Sequence, residues 1–416
     1  MHFLLRPLTG IIVIITIAAF YTVASISLRD PTSLFFDPYK GFAPRYSSIR
    51  RQQAEAFIAA HDYANPTDVT KASDDKKKGK LCVGIPSMNR EGIRYLPAAV
   101  GSLLQGLTTE ERQESYLVVF IPHAKPESHS AYTENWLPGL VDEILIYDFG
   151  PDHLQFVSNM EHQRGRVEKK ALLDYSFLLS KCAQKTTPYI AIFEDDTVVM
   201  DGWYHRTIAA LEEADKETVL HSSKIDSLHL RLFYTEEYLG WNAEHWQSYL
   251  WNSVMVALIS TAVLVFIRIC RPKATLSAAL TTFCRFLALY AVLAILIAFY
   301  FGLGRNTVLP MSTGVHKMTS FGCCNQALVY PNYKTRKLIA YLKDRQTGHL
   351  DVDLEDHANE YNELRFAITP SVVQHVGRKD SKGVGEKVWS FAFERFSEKR
   401  LRKEHEKVAR LREAAA

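Results

Sequence analysis

Two apolar segments in the middle of the chain constrain it more than any other feature. Residues 249–267 (YLWNSVMVALISTAVLVFI) and 278–303 (AALTTFCRFLALYAVLAILIAFYFGL) have the length and composition of bilayer-spanning helices, which need ~20 apolar residues. The connector, residues 268–277, carries Arg268, Arg271 and Lys273, and the positive-inside rule puts such a short basic loop in the cytosol. The pair reads as a transmembrane hairpin with both outer ends on the opposite, lumenal side. Arg285 lies inside the third span and is expected to snorkel toward the loop. A further apolar run, residues 8–28, follows a short cytosolic N-terminus of residues 1–7 and predicts a first transmembrane helix. A cleavable signal peptide is the alternative; the length of the run and the weak Ala24-Ser25-Ile26 site argue against it.

Around these spans the pattern is that of an α/β protein. LCVGIP (81–86), YLVVFIP (116–122), EILIYD (143–148) and YIAIFED (189–195) read as strands, with helices near 92–107 and 165–183 between them. Such alternation predicts a sheet covered by helices on both faces. Residues 29–80 read as a stem, 81–248 as the first part of this domain, 304–390 as its second part after the hairpin, and 391–416 as a charged helix. Hydrophobic residues make up 47% of the chain, enough for a substantial core, and a net charge of +3 on 49 basic and 46 acidic residues gives no bias toward nucleic acid. Six cysteines are too few for a disulfide scaffold. Adjacent Cys323 and Cys324 are expected to pair with distant cysteines, because a vicinal ring is strained.

The sharpest chemical signal is Glu194-Asp195-Asp196, directly after the apolar run of residues 189–193. Ligands of open α/β sheets bind at the carboxyl ends of strands, and three neighbouring carboxylates repel one another. A hard cation, Mn²⁺ or Mg²⁺, would relieve that repulsion and hold substrate phosphates. The end of the first strand, Pro86-Ser87-Met88-Asn89-Arg90, suits a nucleotide and its diphosphate, or is an ordinary turn. Arg164 and Lys169 lie in a basic stretch that opens a helix and is either a phosphate contact or a solvated face. Beyond the hairpin, Asp353, Glu355 and Asp356 form a second acidic group, from which one member would act as general base; helix-capping acids are the bland alternative. His375, in PSVVQHVG, is a structural histidine or a further metal ligand.

Together the strand followed by EDD, the hairpin, VDLEDH and QHVG resemble the post-GPI-attachment-to-proteins factor 4 family, from the N-terminal anchor to about residue 390. VDLEDH and PSVVQHVG are also similar to segments of N-acetylglucosaminyltransferase IV, which lacks the hairpin. The resemblance implies a GT-A-type glycosyltransferase domain, with a Rossmann-like mixed sheet, split by the hairpin and anchored in the Golgi membrane with its catalytic side lumenal. It implies inverting transfer of N-acetylgalactosamine from its UDP-sugar to the first mannose of the glycosylphosphatidylinositol (GPI) core. It further implies that Asp196 and His375 hold the metal, that Glu194 and Asp195 contact the donor, and that Asp353 is the base with Glu355 and Asp356 in reserve. Another UDP-sugar, carried to an N-glycan or a glycolipid, is the alternative within enzymes; a non-catalytic glycan-binding protein is the alternative outside them.

Overall fold

In the four strands read from sequence, side chains alternate between two faces that are both apolar, so every strand is buried on both sides. The structure, a computed structural model, describes residues 14, 17–18, 20–23, 25–41, 43–61, 79–90, 92–162, 167–221, 225–270, 276–319, 324–345, 348–377 and 392–415. It divides into two units, one of residues 1–43 and 236–311, the other of residues 44–235 and 312–416.

The larger unit is built on an eight-stranded mixed sheet in the order β3-β2-β1-β4-β8-β6-β9-β7. Strands β1 (Leu81–Pro86), β2 (Ser115–Phe120), β3 (Glu143–Leu145) and β4 (Tyr189–Phe193) run parallel. Strand β5 (Thr197–Val199) leaves the sheet and forms a separate antiparallel pair with β10 (Val373–His375). In the second half, β8 (Ala327–Pro331) runs antiparallel to both β4 and β6 (Ser227–Arg231), and β7 (Gly314–Lys317) runs antiparallel to β9 (Leu364–Thr369). The sequence pattern anticipated β1 to β4, with β3 shorter than read and β4 ending before the acidic triplet.

Two cores result. Val83, Ile85, Leu117, Val119 and Phe193 point to one face, against α1 (Tyr46–His61), α2 (Leu96–Leu104) and Trp203 of α4 (Trp203–His221). Cys82, Val118, Phe120, Ile190 and Ile192 point to the other. There they meet α3 (Val167–Ala183), α7 (Asn332–Asp344) and α8 (Leu350–Glu360). A charged helix, α9 (Glu398–Ala415), ends the chain.

The smaller unit holds α5 (Trp246–Ile269) and α6 (Leu276–Gly302). Segments Ala243–Ile269 and Phe283–Gly302 are long and apolar enough to cross a membrane, and nothing in the structure buries them. Leu258 and Ile259 are more than half exposed, an arrangement that is unfavourable in water at about 25 cal/mol per Å² of apolar surface. Thr261 and Tyr290 join the two helices by a 2.8 Å hydroxyl contact. Ser33 Oγ and the Leu34 amide both donate to the carbonyl of Gly302, and Phe20 stacks on Phe299. Residues 8–13, 15–16, 19 and 24 of the expected first span, and Arg271 and Lys273 of the loop, lie outside the described residues.

Cys82 of β1 is bonded to Cys182 at the end of α3, 100 positions away. Cys324 is also disulfide-bonded. Its partner is none of the other described cysteines, since Cys270 and Cys284 are free. The expected link from Cys324 to a distant described cysteine is therefore not formed. Replacing Cys82 and Cys182 by serine is expected to remove about 2–5 kcal/mol, the usual contribution of a native bridge closing a long loop. Thermal unfolding of the detergent-solubilised chain checks this, as a midpoint lowered by roughly 10 °C.

Candidate active site

The chain turns sharply after β4, and that turn is pinned from three directions. The Glu194 amide donates to the Gln326 carbonyl at 2.8 Å, Thr197 Oγ1 donates to the Glu194 carbonyl at 2.7 Å, and the Val376 amide donates to the Asp196 carbonyl at 2.8 Å. Pairing of β5 with β10 sets His375 opposite Thr197. His375 Nε2 then lies 3.2 Å from Asp196 Oδ2. Glu194, Asp196 and His375 each offer a ligand atom within 4.8 Å of the others. Gly377 backs this group so closely that a Cβ there would stand 2.4 Å from Asp196 Oδ2.

The electrostatics divide the three acids. Burial, with Asp196 and Asp195 adjacent, pushes the Glu194 carboxyl up to about 8. Burial acts on Asp196 too, but His375 and Arg90 outweigh it and hold that carboxyl below its ordinary range. The ring of His375 is disfavoured as a cation by burial, yet Asp196 and Glu194 raise its affinity for a proton above the usual value.

Asp195 faces the other way. Strand β1 is flanked by β2 on one side and β4 on the other, so the crevice between β1 and β4 is the topological switch point, the usual ligand position in such sheets. Across it Ser87 Oγ donates to Asp195 Oδ2 at 2.7 Å, and Arg90 Nη1 donates to both Asp195 oxygens at 2.7 and 2.8 Å. A second Arg90 nitrogen is 3.8 Å from Asp196. Burial pushes the Asp195 carboxyl up against the pull of Arg90. His129 completes the wall. Its Nδ1 accepts from the Ala131 amide, so in the neutral ring Nε2 carries the proton and faces Ser87 Oγ at 3.1 Å. Burial lowers His129 to about 4 and keeps it neutral.

Of the other residues expected here, Pro86 ends β1 and Asn89 Nδ2 donates to the Ser128 carbonyl, both at the rim of the crevice. Lys169 points along Phe156, whereas the neighbouring Lys170 is buried, donating to Asp174 and to the Pro122 carbonyl. Arg164 lies outside the described residues. The acids of α8 have three different fates. Glu355 is buried between Arg231 at 2.6 Å and Arg365 at 2.8 Å, a fully engaged structural pair. Asp356 is half-exposed near Arg345. Asp353 is buried with Oδ2 unpartnered, and burial raises its carboxyl despite Arg345 at 3.6 Å. Among the described residues its contacts are not with residues 194–196. Its helix does reach the end of β6 through Glu355 and Arg231, on the edge of the sheet where Ala327 pairs with Phe193.

Sequence reasoning missed Lys170, His129 and Gly377. The Lys170–Asp174 spacing of four was a usable signal; a lone loop histidine gave none.

A metal suits the first group. Asp196 Oδ1 and His375 Nδ1 are buried with no hydrogen-bond partner, and two carboxylates with one imidazole are ordinary ligands of a divalent cation.

Comparison with known proteins identifies a family. A family model described as GPI-N-acetylgalactosamine transferase PGAP4 matches residues 81–374, a stretch that includes both apolar helices. Alpha-1,3-mannosyl-glycoprotein 4-beta-N-acetylglucosaminyltransferase B of Mus musculus is 29% identical over 192 residues, covering 40% of this chain and 35% of the relative. The Danio rerio protein of that name is 26% identical with the same coverage. The A form from Bos taurus is 24% identical over 40% of this chain and 36% of its own length. The chain thus spans about a third of the length of the curated relatives it matches.

Titration calorimetry with Mn²⁺ is expected to give binding that weakens at least tenfold in Asp196→Asn and in His375→Ala. Below a pH of about 8 the ion must displace a proton from Glu194. Affinity should therefore fall as pH drops from 8 to 6, by up to about tenfold per unit. Binding indifferent to pH across that window would contradict the assignment of Glu194 as a ligand.

Proposed function

The chain belongs to the GPI-N-acetylgalactosamine transferase PGAP4 family and is a glycosyltransferase, and from that premise we propose that it transfers N-acetylgalactosamine from its UDP-sugar to the first mannose of GPI. The observation that carries this reading is the meeting of two groups at the switch point: Glu194, Asp196 and His375 beside the Ser87–Asp195–Arg90 crevice. In this reading the larger unit is a GT-A-type domain.

The roles follow from the side chains. Glu194, Asp196 and His375 hold Mn²⁺ or Mg²⁺, which when bound stabilises charge on the departing diphosphate. Arg90, already aimed across the crevice, turns its remaining donors to a diphosphate oxygen. Asp195, fixed by Ser87, contacts the donor sugar or ribose. Asp353 is the base: among Asp353, Glu355 and Asp356 it is the one that is buried, carries an unpartnered oxygen and has a raised proton affinity. It takes the proton of the acceptor hydroxyl as that oxygen attacks the anomeric carbon, and a single displacement inverts the linkage. Glu355 is held by two arginines and keeps a structural role.

In this reading the enzyme sits in a Golgi membrane with its catalytic side lumenal; the exposed apolar helices support membrane residence. The Cys82–Cys182 bridge supports an oxidising compartment. A GPI acceptor is itself a lipid, so anchoring raises its local concentration at the site.

The test is transfer from UDP-N-acetylgalactosamine to a GPI-anchored acceptor with added Mn²⁺. Activity in the wild type should be abolished in Asp196→Ala and reduced by about 10²–10⁴ in Asp353→Asn, the usual weight of a general base. Turnover of UDP-N-acetylglucosamine onto an N-glycan instead, as the relatives' names describe, would keep the site and discard the GPI acceptor.

A further inference from the structure

Helix α9 presents a packing problem. Of its described side chains, Leu401 and His405 alone are buried. One buried leucine is little for eighteen residues of a strongly charged helix. Besides surface contacts such as the Arg206–Glu404 ion pair, what holds it is the cluster around His405.

That cluster draws on three elements. Glu111 belongs to the short helix Thr109–Gln113, His205 to the first turn of α4, and His405 to α9. All three are buried, and a ligand atom of each lies within 4.8 Å of the others. His405 Nδ1 is 2.9 Å from Asp201 Oδ1, while its Nε2 is 2.9 Å from Glu111 Oε2. A histidine oriented by a carboxylate on one nitrogen and presenting the other is the usual arrangement behind a zinc ligand. His205 packs against His405 with ring centroids 5.1 Å apart, and its Nδ1 is buried without a hydrogen-bond partner. Gly202, at φ +73°, leaves room for both rings: a Cβ there would lie 2.4 Å from His205 Cε1 and 3.3 Å from His405 Cβ.

We propose that Glu111, His205 and His405 form a second, structural metal site of the zinc class, with Asp201 orienting His405, which fastens the C-terminal helix to the catalytic unit. Two imidazoles and a carboxylate are a common zinc donor set, with water completing the tetrahedron. Arg402 and Arg412 approach the far oxygens of Asp201 and Glu111 at 3.6 Å, and the Thr108 amide donates to Glu111 Oε2, the oxygen that faces His405. The rival arrangement has a proton in place of the ion, with His405 as an imidazolium between two carboxylates. It satisfies His405 but leaves His205 Nδ1 buried and unpaired, which costs about 1–3 kcal/mol.

The full chain, purified in detergent and dialysed against a weak chelator, is assayed for zinc by mass spectrometry and for thermal stability on adding Zn²⁺. One zinc per chain is expected in the wild type and in Asp196→Ala, which separates this ion from the catalytic one. His205→Gln should lose it, and Asp201→Asn should weaken it about 10–100-fold. Co²⁺ substituted into the wild type should give a tetrahedral visible spectrum, a readout independent of whether any variant folds. Wild type with no bound zinc and no stabilisation by added Zn²⁺ overturns the proposal in favour of the imidazolium. Zinc retained in full by folded His205→Gln overturns it equally, because the ion then lies elsewhere.

Discussion

Burying two consecutive carboxylates, with a third half-buried beside them, is the constraint to which the rest of the catalytic unit answers. Each charge removed from water costs several kcal/mol unless it is paired, and Asp195 and Asp196 are almost completely buried. The fold brings Arg90 to Asp195 across 105 positions and His375 to Asp196 across 179. Strand β10 serves chiefly to deliver that histidine: it pairs with β5 and not with the main sheet. Even so, Glu194 keeps a strongly raised carboxyl, and Asp196 Oδ1 and His375 Nδ1 remain without partners. The compensation supplied by the protein is incomplete on the side of the turn where a cation fits, whereas on the other side Ser87 and Arg90 hydrogen-bond Asp195 directly.

How much of this could be read from the sequence depends on the range of the interaction. Strands β1, β2 and β4 were legible because a strand buried on both faces is a continuous apolar run, and the acidic triplet stood out at the end of one. The sheet's second half was less so. Strands β6 to β9 are assembled from pieces on either side of the apolar helices, and β8 reverses direction between β4 and β6. The candidate base shows the same limit. Asp353, Glu355 and Asp356 are near-equivalent in sequence, and only tertiary packing separates them, by setting Arg231 and Arg365 on Glu355 and leaving Asp356 half-exposed.

The excursion through the apolar helices leaves the sheet after β6 and returns at β7, two strands that both neighbour β9. The ladder therefore closes without the inserted residues, as tolerated insertions generally require. The charged helix α9 follows a similar economy: among its described side chains Leu401 and His405 alone are buried, and polar contacts such as Arg206–Glu404 surround them. In both places a large segment is attached through few side chains, so the chemistry of those side chains carries unusual weight.

Diffraction from crystals grown with Mn²⁺ and UDP, recorded at the manganese absorption edge, bears most directly on the switch-point site. An anomalous peak coordinated by Glu194, Asp196 and His375 is expected, with the diphosphate touching that ion and Arg90. A peak elsewhere, or UDP bound away from the crevice between β1 and β4 with the three acids unligated, would contradict it.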